Sequence, residues 1–202
     1  MSSVDETVSA IRAGELVVIP TDTVYGLACR PYDERAARAL SALKGRPAEQ
    51  PIALVASSVE WLLACVPELR GRAAVLARAL LPGPYTLVLP NPAHRFPWLT
   101  GNRPDTIGAR VPDVVGPARD VLVAAGAVAA TSANMHGALD PCRIDDVPSE
   151  IRDAVGAIFD AGELPGIPST VLDLTGPDTL VLREGAVPGA EAIARVAGIT
   201  AQ

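Results

Sequence analysis

Short apolar blocks recur along the chain in two patterns, apolar residues three or four apart and unbroken aliphatic runs, and glycine, proline or small polar residues close each block. Val4, Val8 and Ile11 stand four and three apart and the pattern stops at Gly14, which predicts a helix over Val4 to Ala13 with a glycine just past its end. Val17-Val18-Ile19 reads as a strand, Pro20 breaks it, and Thr21-Asp22-Thr23 makes a hydroxyl-rich turn before the apolar pattern resumes through Val24 to Ala28. No helical spacing follows this triplet. It is either a turn whose side chains satisfy its own backbone or a set of polar groups aimed at a site. Asp33 is placed to cap a second helix with Ala36, Ala39, Leu40 and Leu43 on its apolar face, broken at Lys44-Gly45-Arg46-Pro47.

Ile52 to Ala56 has the length and composition of a strand, and Ser57 with Glu60 forms a capping box for a helix carrying Trp61, Leu62 and Leu63. Gly71 to Leu81 continues helically until Pro82-Gly83-Pro84, after which Thr86 to Pro90 reads as a buried strand. Asn91 to Asp105 is a proline-rich loop or lid of a length that usually has a function. A strand over Thr106 to Pro112 carries the lone Arg110; then come a helix from Val114 to Ala125, and a small-residue strand from Ala127 to Ala130 that stops at Thr131-Ser132-Ala133-Asn134. Pro148 to Val155 suggests a helix, Ser169 to Leu174 and Thr179 to Leu182 an antiparallel strand pair joined through Gly176-Pro177, and Glu191 to Ala197 a last helix. This alternation predicts an α/β fold in one domain over residues 1–202.

Composition sharpens the picture in a few places. The 202 residues are 49% hydrophobic but only 3% aromatic, which is enough for one aliphatic core of helices on sheet. A net charge of −6 argues against a surface that binds nucleic acid all over, so any anion site must be a local basic pocket. With no signal-like segment at Met1 to Glu6 and no run long enough to cross a membrane, the expectation is a cytoplasmic protein. Cys29, Cys65 and Cys142 are too scattered for a disulfide framework or zinc site and read as free thiols, and no metal ligand set is expected.

The polar residues cluster beside the predicted core elements: Thr21 to Thr23, Lys44 and Arg46, Thr106 and Arg110, Ser132 and Asn134, Ser169 and Thr170, and Arg183. In open α/β sheets such edges meet in one crevice, and arginines with hydroxyls suit phosphate and carboxylate, which a guanidinium binds bidentately. Neither G-x-x-x-x-G-K-[ST] nor G-x-G-x-x-G occurs, so a nucleotide would be held outside the usual Gly-rich schemes. Ser132 and Ser169 lack a G-x-S-x-G context and His94 and His136 are the only histidines, which disfavours a serine hydrolase and leaves His136 as a loop residue. Asp145-Asp146 and Asp160 to Glu163 read as helix starts and turns.

Pro20-Thr21-Asp22-Thr23-Val24-Tyr25-Gly26-Leu27, Lys44-Gly45-Arg46-Pro47, Pro82-Gly83-Pro84-Tyr85-Thr86, Arg110-Val111-Pro112, Thr131-Ser132-Ala133-Asn134, Ser169-Thr170-Val171-Leu172-Asp173 and Leu182-Arg183-Glu184-Gly185 resemble, in order, the motifs of the YrdC-like threonylcarbamoyl-AMP synthases. The resemblance implies a twisted mixed β-sheet with flanking helices and a basic concave cleft. It also implies a nucleotidyltransferase that makes threonylcarbamoyl-AMP and pyrophosphate from L-threonine, bicarbonate and ATP, with Mg²⁺ carried by the nucleotide. The product would pass to a tRNA threonylcarbamoyl-transferase complex for N6-threonylcarbamoyl modification of adenosine 37, with tRNA or double-stranded RNA as a further partner. Since the chain ends soon after Arg183, the short single-domain form is expected.

Carried over by position, Thr23, Arg110 and Ser169 would hold threonine, with the Ala130 backbone nearby. Lys44, Arg46, Thr106, Ser132, Asn134 and Arg183 would serve the nucleotide and phosphates, with Gln50 and Asp140 also on the ATP side, and Lys44, Arg46 and Arg183 would neutralise charge during catalysis. Gln50 stands where the family often has asparagine, Val55 where some members have histidine, and His136 where a second serine is usual. Two other readings use the same residues. One is a binder of structured RNA with a vestigial nucleotide pocket; the other is a carbamoyl-transfer role like that in hydrogenase maturation proteins, whose zinc-finger and acylphosphatase-like segments have no counterpart here.

Overall fold

The computed structural model describes residues 1–47 and 49–201. The elements are α1 (Val4–Ala13), β1 (Val17–Pro20), β2 (Tyr25–Cys29), α2 (Glu34–Leu43), β3 (Ala53–Ala56), α3 (Val59–Cys65), α4 (Gly71–Leu80), β4 (Tyr85–Pro90), β5 (Thr106–Arg110), α5 (Gly116–Ala125), β6 (Ala127–Ser132), α6 (Ser149–Arg152), β7 (Ala157–Ile158), β8 (Thr170–Asp173), β9 (Leu180–Arg183) and α7 (Gly189–Thr200). Among the described residues all nine strands join one mixed sheet in the order β7-β1-β2-β6-β3-β5-β4-β8-β9. Three pairs are parallel, β1 with β7, β3 with β5 and β4 with β8, and the rest antiparallel.

Helices cover the two faces of this sheet unequally. On one face α2, α3, α4 and α7 bring Leu40, Leu62, Leu76 and Val196 onto Leu27, Leu54, Leu87 and Leu172. On the other, α1 and α5 bring Val8, Ile11, Val121 and Leu122 onto Val17, Ile19, Val55 and Val128, and no member of this second cluster comes from β4, β5, β8 or β9. Side chains alternate across a strand. Because Tyr85, Leu87, Leu89, Ile107, Ala109 and Leu172 are in the first core, Thr86, Val88, Thr106, Gly108, Arg110 and Val171 face the other way, into an open cavity.

Most predicted elements are present, with informative shifts. Asp33 caps α2 by accepting from the Ala36 amide, but the buried face is Ala36, Ala37 and Leu40, with Ala39 exposed. Ser58, not Ser57, caps α3: the Ser57 amide is committed to the Gly126 carbonyl, so the helix starts one residue later and Glu60 is not placed for a capping box. The 86–90 segment is half-buried in alternation rather than buried throughout. β6 runs on to Ser132 because Leu27 and Gly26 of β2 pair with Thr131 and Ser132. The helix expected over 148–155 is the single turn α6, since the chain must extend for Gly156 to donate to Leu16 and β7 to pair with β1. β9 includes Arg183, and α7 extends beyond the expected 191–197 at both ends. All three cysteines are free, and His136 lies in an exposed turn.

The Glu184-Gly185 pair shows how a local sequence choice builds the cavity wall. A Cβ on Gly185 would lie 2.3 Å from the Pro168 carbonyl oxygen and 2.5 Å from the Thr170 nitrogen, so this backbone approach admits only glycine. The chain is then stapled to 168–170 by the bond from the Ala186 amide to the Pro168 carbonyl (2.8 Å), while Glu184 accepts from the Gly189 amide (2.7 Å) at the start of α7. Gly185→Ala should therefore cost about 1–3 kcal/mol, the range for forced overpacking. Urea unfolding tests this, and an unchanged midpoint would show that the wall gives way without cost.

Candidate active site

The Thr21-Asp22-Thr23 turn is built by both mechanisms that its sequence left open. Thr21 satisfies the turn itself: its hydroxyl donates to the Val24 carbonyl (2.7 Å) and accepts from the Val24 amide (3.2 Å). Asp22 and Thr23 instead reach across to β5. Arg110 Nη2 donates to Asp22 Oδ1 and to Thr23 Oγ1 (2.7 Å), and Asp22 Oδ2 accepts from the Asp113 amide (3.1 Å). Arg110 is 8% exposed, and its Nε is buried without a partner. Burial lowers its pKa, Asp22 opposes that shift, and the charge of Arg183 adds to it. With both Nη2 hydrogens occupied, Arg110 cannot offer the two-pronged end grip expected from sequence.

Arg46 and Lys44 follow the break of α2 and turn toward the end of β6. Arg46 Nη1 donates to Thr131 Oγ1 (2.8 Å), Nη2 donates to the Pro51 carbonyl, and Nε is buried and unpartnered. Its pKa is lowered by burial and then by Arg183. The Lys44 ammonium lies deeper, donating to the Ser132 carbonyl (2.6 Å), Ser132 Oγ (3.3 Å), the Asn134 carbonyl (2.9 Å) and Asn134 Oδ1. Burial pushes it down to about 8; Arg46 acts in the same direction and Asp140 against it. Ser132 Oγ donates to Asn134 Oδ1 (2.7 Å) and Asn134 Nδ2 to the Ala138 carbonyl (2.6 Å), so Lys44 sits at the centre of a closed polar network that shapes this turn.

Arg183 completes the cationic set from β9. Its Nη2 donates to the Ser169 carbonyl (2.8 Å) and Ser169 Oγ (3.1 Å), and Ser169 Oγ is 2.8 Å from Thr86 Oγ1. Together these groups surround a cavity of about 260 Å³ with an aliphatic floor that includes Val55, Val88 and Val171. Of the candidate residues, Arg46, Thr106, Arg110, Ala130, Ser132, Asp140, Ser169 and Arg183 line it. Thr23, Lys44 and Asn134 are buried behind it, bonded to lining residues. Gln50 is half-buried and is not part of the lining, although Pro51 is.

Sequence reasoning missed Thr86, Arg103, Thr131 and, apart from Val55, the valine floor. The period-two pattern of 85–90 and 106–110, read as apolar in and the remainder out, was the available signal for Thr86, Val88 and Gly108. Nothing local marks Arg103, which reaches the cavity from the 91–105 loop and pairs with Asp173 (3.0 Å). The crevice expected at strand ends is instead the uncovered part of one sheet face. Among the described residues, no group of three or more His, Cys, Asp or Glu side chains is placed to hold a metal ion, and no helix is long and apolar enough to cross a membrane.

Comparison with known proteins places the fold in a family. Residues 9–185 match the Sua5/YciO/YrdC family model, described as telomere recombination. The threonylcarbamoyl-AMP synthase of Pyrococcus abyssi is 36% identical over 189 residues, 93% of this chain and 55% of that protein, so the chain spans about half the length of that relative. The threonylcarbamoyl-AMP synthase of Vibrio parahaemolyticus is 32% identical over 190 residues, covering 92% of this chain and 100% of that one. A crystal structure of P. abyssi Sua5 complexed with L-threonine superposes with a TM-score of 0.86 at 34% identity, over 95% of this chain and 56% of that chain. With the fold, the ordered motifs and the family model in agreement over most of its length, the chain belongs to the Sua5/YciO/YrdC family.

Proposed function

We propose that this protein converts L-threonine, bicarbonate and ATP into threonylcarbamoyl-AMP and pyrophosphate, in the cytoplasm, for the N6-threonylcarbamoyl modification of tRNA. The observation that carries this reading is the convergence of Arg46, Arg110 and Arg183 on one small cavity, with Arg183 close enough to act on the charge of both others. Clustered guanidiniums are relieved by an anionic ligand, and a nucleotide triphosphate with an amino-acid carboxylate supplies several anionic groups at once. The relatives named as threonylcarbamoyl-AMP synthases support the choice of reaction, and the threonine complex of the P. abyssi protein supports the amino acid.

In this reading Arg110 and Ser169 face the threonine side beside Ala130, with Thr23 holding Arg110. Arg46, Thr106, Ser132, Asp140 and Arg183 face ATP, whose bound Mg²⁺ comes with the nucleotide; Lys44 and Asn134 support that wall from behind, and Gln50 borders it. The threonine amine and bicarbonate condense to a carbamate with loss of water, and a carbamate oxygen attacks the α-phosphate as the bond to the departing pyrophosphate breaks, so no protein nucleophile is needed and positioning with charge neutralisation carries the rate. The product then goes to a tRNA threonylcarbamoyl-transferase complex. RNA binding with a vestigial pocket is not favoured, because a guanidinium as enclosed as that of Arg110 is poorly placed to meet a phosphodiester backbone.

Three outcomes are expected. Pyrophosphate release from ATP should require threonine and bicarbonate together, and equal release with either one omitted would overturn the reaction. Arg183→Ala should lower kcat/KM by about 10²-fold or more, the scale of losing a preorganised charged donor. Steady-state kinetics beside a denaturation curve separates this effect from unfolding; wild-type rates would remove Arg183 from the reaction.

Lys44 generates the third expectation, in which activity and stability respond to pH with opposite signs. Its pKa falls from 10.5 to about 8 in the folded protein. Between those values the unfolded chain binds more protons, so this residue's contribution to stability rises with pH. Activity moves the other way, because a neutral amine has only two hydrogens for the acceptors at Ser132 and Asn134. The kcat/KM profile should fall with an apparent pKa near 8, and Lys44→Met should show low activity without that limb. The same limb in the variant would assign it to another group.

A further inference from the structure

We propose that Asp22 is a positioning residue that sets how Arg110 grips the ligand's carboxylate. Among the described residues, Asp22 is the carboxylate paired with a cavity arginine from outside the 91–105 loop, and both partners are 9% exposed at the side chain. Its two oxygens do different work. Oδ1 takes one Nη2 hydrogen of Arg110, whose other Nη2 hydrogen goes to Thr23 Oγ1. Oδ2 takes the Asp113 amide (3.1 Å), which ties the turn to the segment just beyond β5.

The consequence follows from the donor count of a guanidinium. Its five hydrogens divide as two on each Nη and one on Nε. Both Nη2 hydrogens are occupied, Nε is buried without a partner, and Nη1 has no hydrogen bond among the described residues. Arg110 therefore presents Nη1 to the cavity in a fixed direction, a one-nitrogen contact in place of the usual fork. A carboxylate held in this way needs its second hydrogen bond from another cavity group, which makes its placement depend on the angle that Asp22 imposes. Without Asp22, the guanidinium gains a free Nη2 hydrogen and can rotate about its remaining bond to Thr23. It also keeps its full charge beside Arg183, with no anion to offset it.

Asp22→Asn is the direct test, because it keeps the size and an acceptor for the Asp113 amide while removing the charge. The inference rests on the proposed function only in taking the carboxylate to be that of threonine, so binding is measured by calorimetry rather than by turnover, with L-threonine and with Mg-ATP separately. The expected result is a threonine Kd raised about tenfold or more, with the Mg-ATP Kd within about threefold of wild type, as a charged contact at one end of the site requires. Thr23→Val, which removes the other Nη2 acceptor, should raise the threonine Kd in the same direction. Unchanged threonine affinity in both variants would overturn the role of Asp22 and leave the proposed reaction standing. Equal loss of threonine and Mg-ATP binding with early melting would overturn it as well, by making Asp22 a general structural contact. A wild-type protein that binds Mg-ATP but no threonine would overturn the functional reading, and this inference with it.

Discussion

Arg46, Arg110 and Arg183 repel one another around so small a cavity, and much of the polar bonding near it holds each in place against that repulsion. Thr131 and the Pro51 carbonyl hold Arg46, Asp22 and Thr23 hold Arg110, and the Ser169 carbonyl and hydroxyl hold Arg183. Each arginine thus commits some of its donors to the protein and points the rest in a set direction. A free arginine carries about 2 kcal/mol of side-chain entropy. Because the loss is taken during folding, a ligand need not order these groups when it arrives. The valine floor strengthens every charged contact made above it, since low local polarity screens less than water does.

How far this was legible in the sequence depends on whether the controlling contact is local. The Asp33 cap, the Gly14 stop and the aliphatic strands are set by near neighbours, and most of the elements they mark form close to where the pattern puts them. The alternation in 85–90 was visible as well, but a run of Leu-Val-Leu hides it, because valine is as apolar facing a cavity as facing a core. What could not be read is long-range pairing. Asp22 meets Arg110 across 88 positions and Lys44 meets Ser132 across another 88, so neither the counter-ion nor the burial of the lysine leaves a local trace. The two-residue strand β7 belongs to the same class, since only its pairing with β1 makes it a strand.

The motifs separate in the same way into chemistry and support. In Arg183-Glu184-Gly185 only the arginine faces the cavity; the glutamate steadies the first turn of α7 and the glycine lets two backbone segments touch. In Thr21-Asp22-Thr23 the first residue closes the turn and the other two aim an arginine 87 or 88 positions away. Lys44 and Arg46 are two residues apart, yet Lys44 organises the turn behind the wall while Arg46 lies in the wall itself. Sharing a motif therefore does not mean sharing a role.

The location of the cavity has a physical consequence of its own. In a doubly wound parallel sheet the ligand sits in loops beyond the strand ends, and the loops must be ordered separately. Here α1 and α5 cover only part of one face, and the cavity lies over β3, β5, β4 and β8, where Val55, Gly108, Thr86 and Val171 stand on strands already fixed by pairing on both sides. The register that places Arg110 opposite Val55 and Val171 opposite Arg183 is therefore the register of the core as well. A one-residue slip would turn the cavity residues into the core and the core leucines into the cavity, so the same apolar burial that stabilises the sheet also fixes the positions of the charged groups.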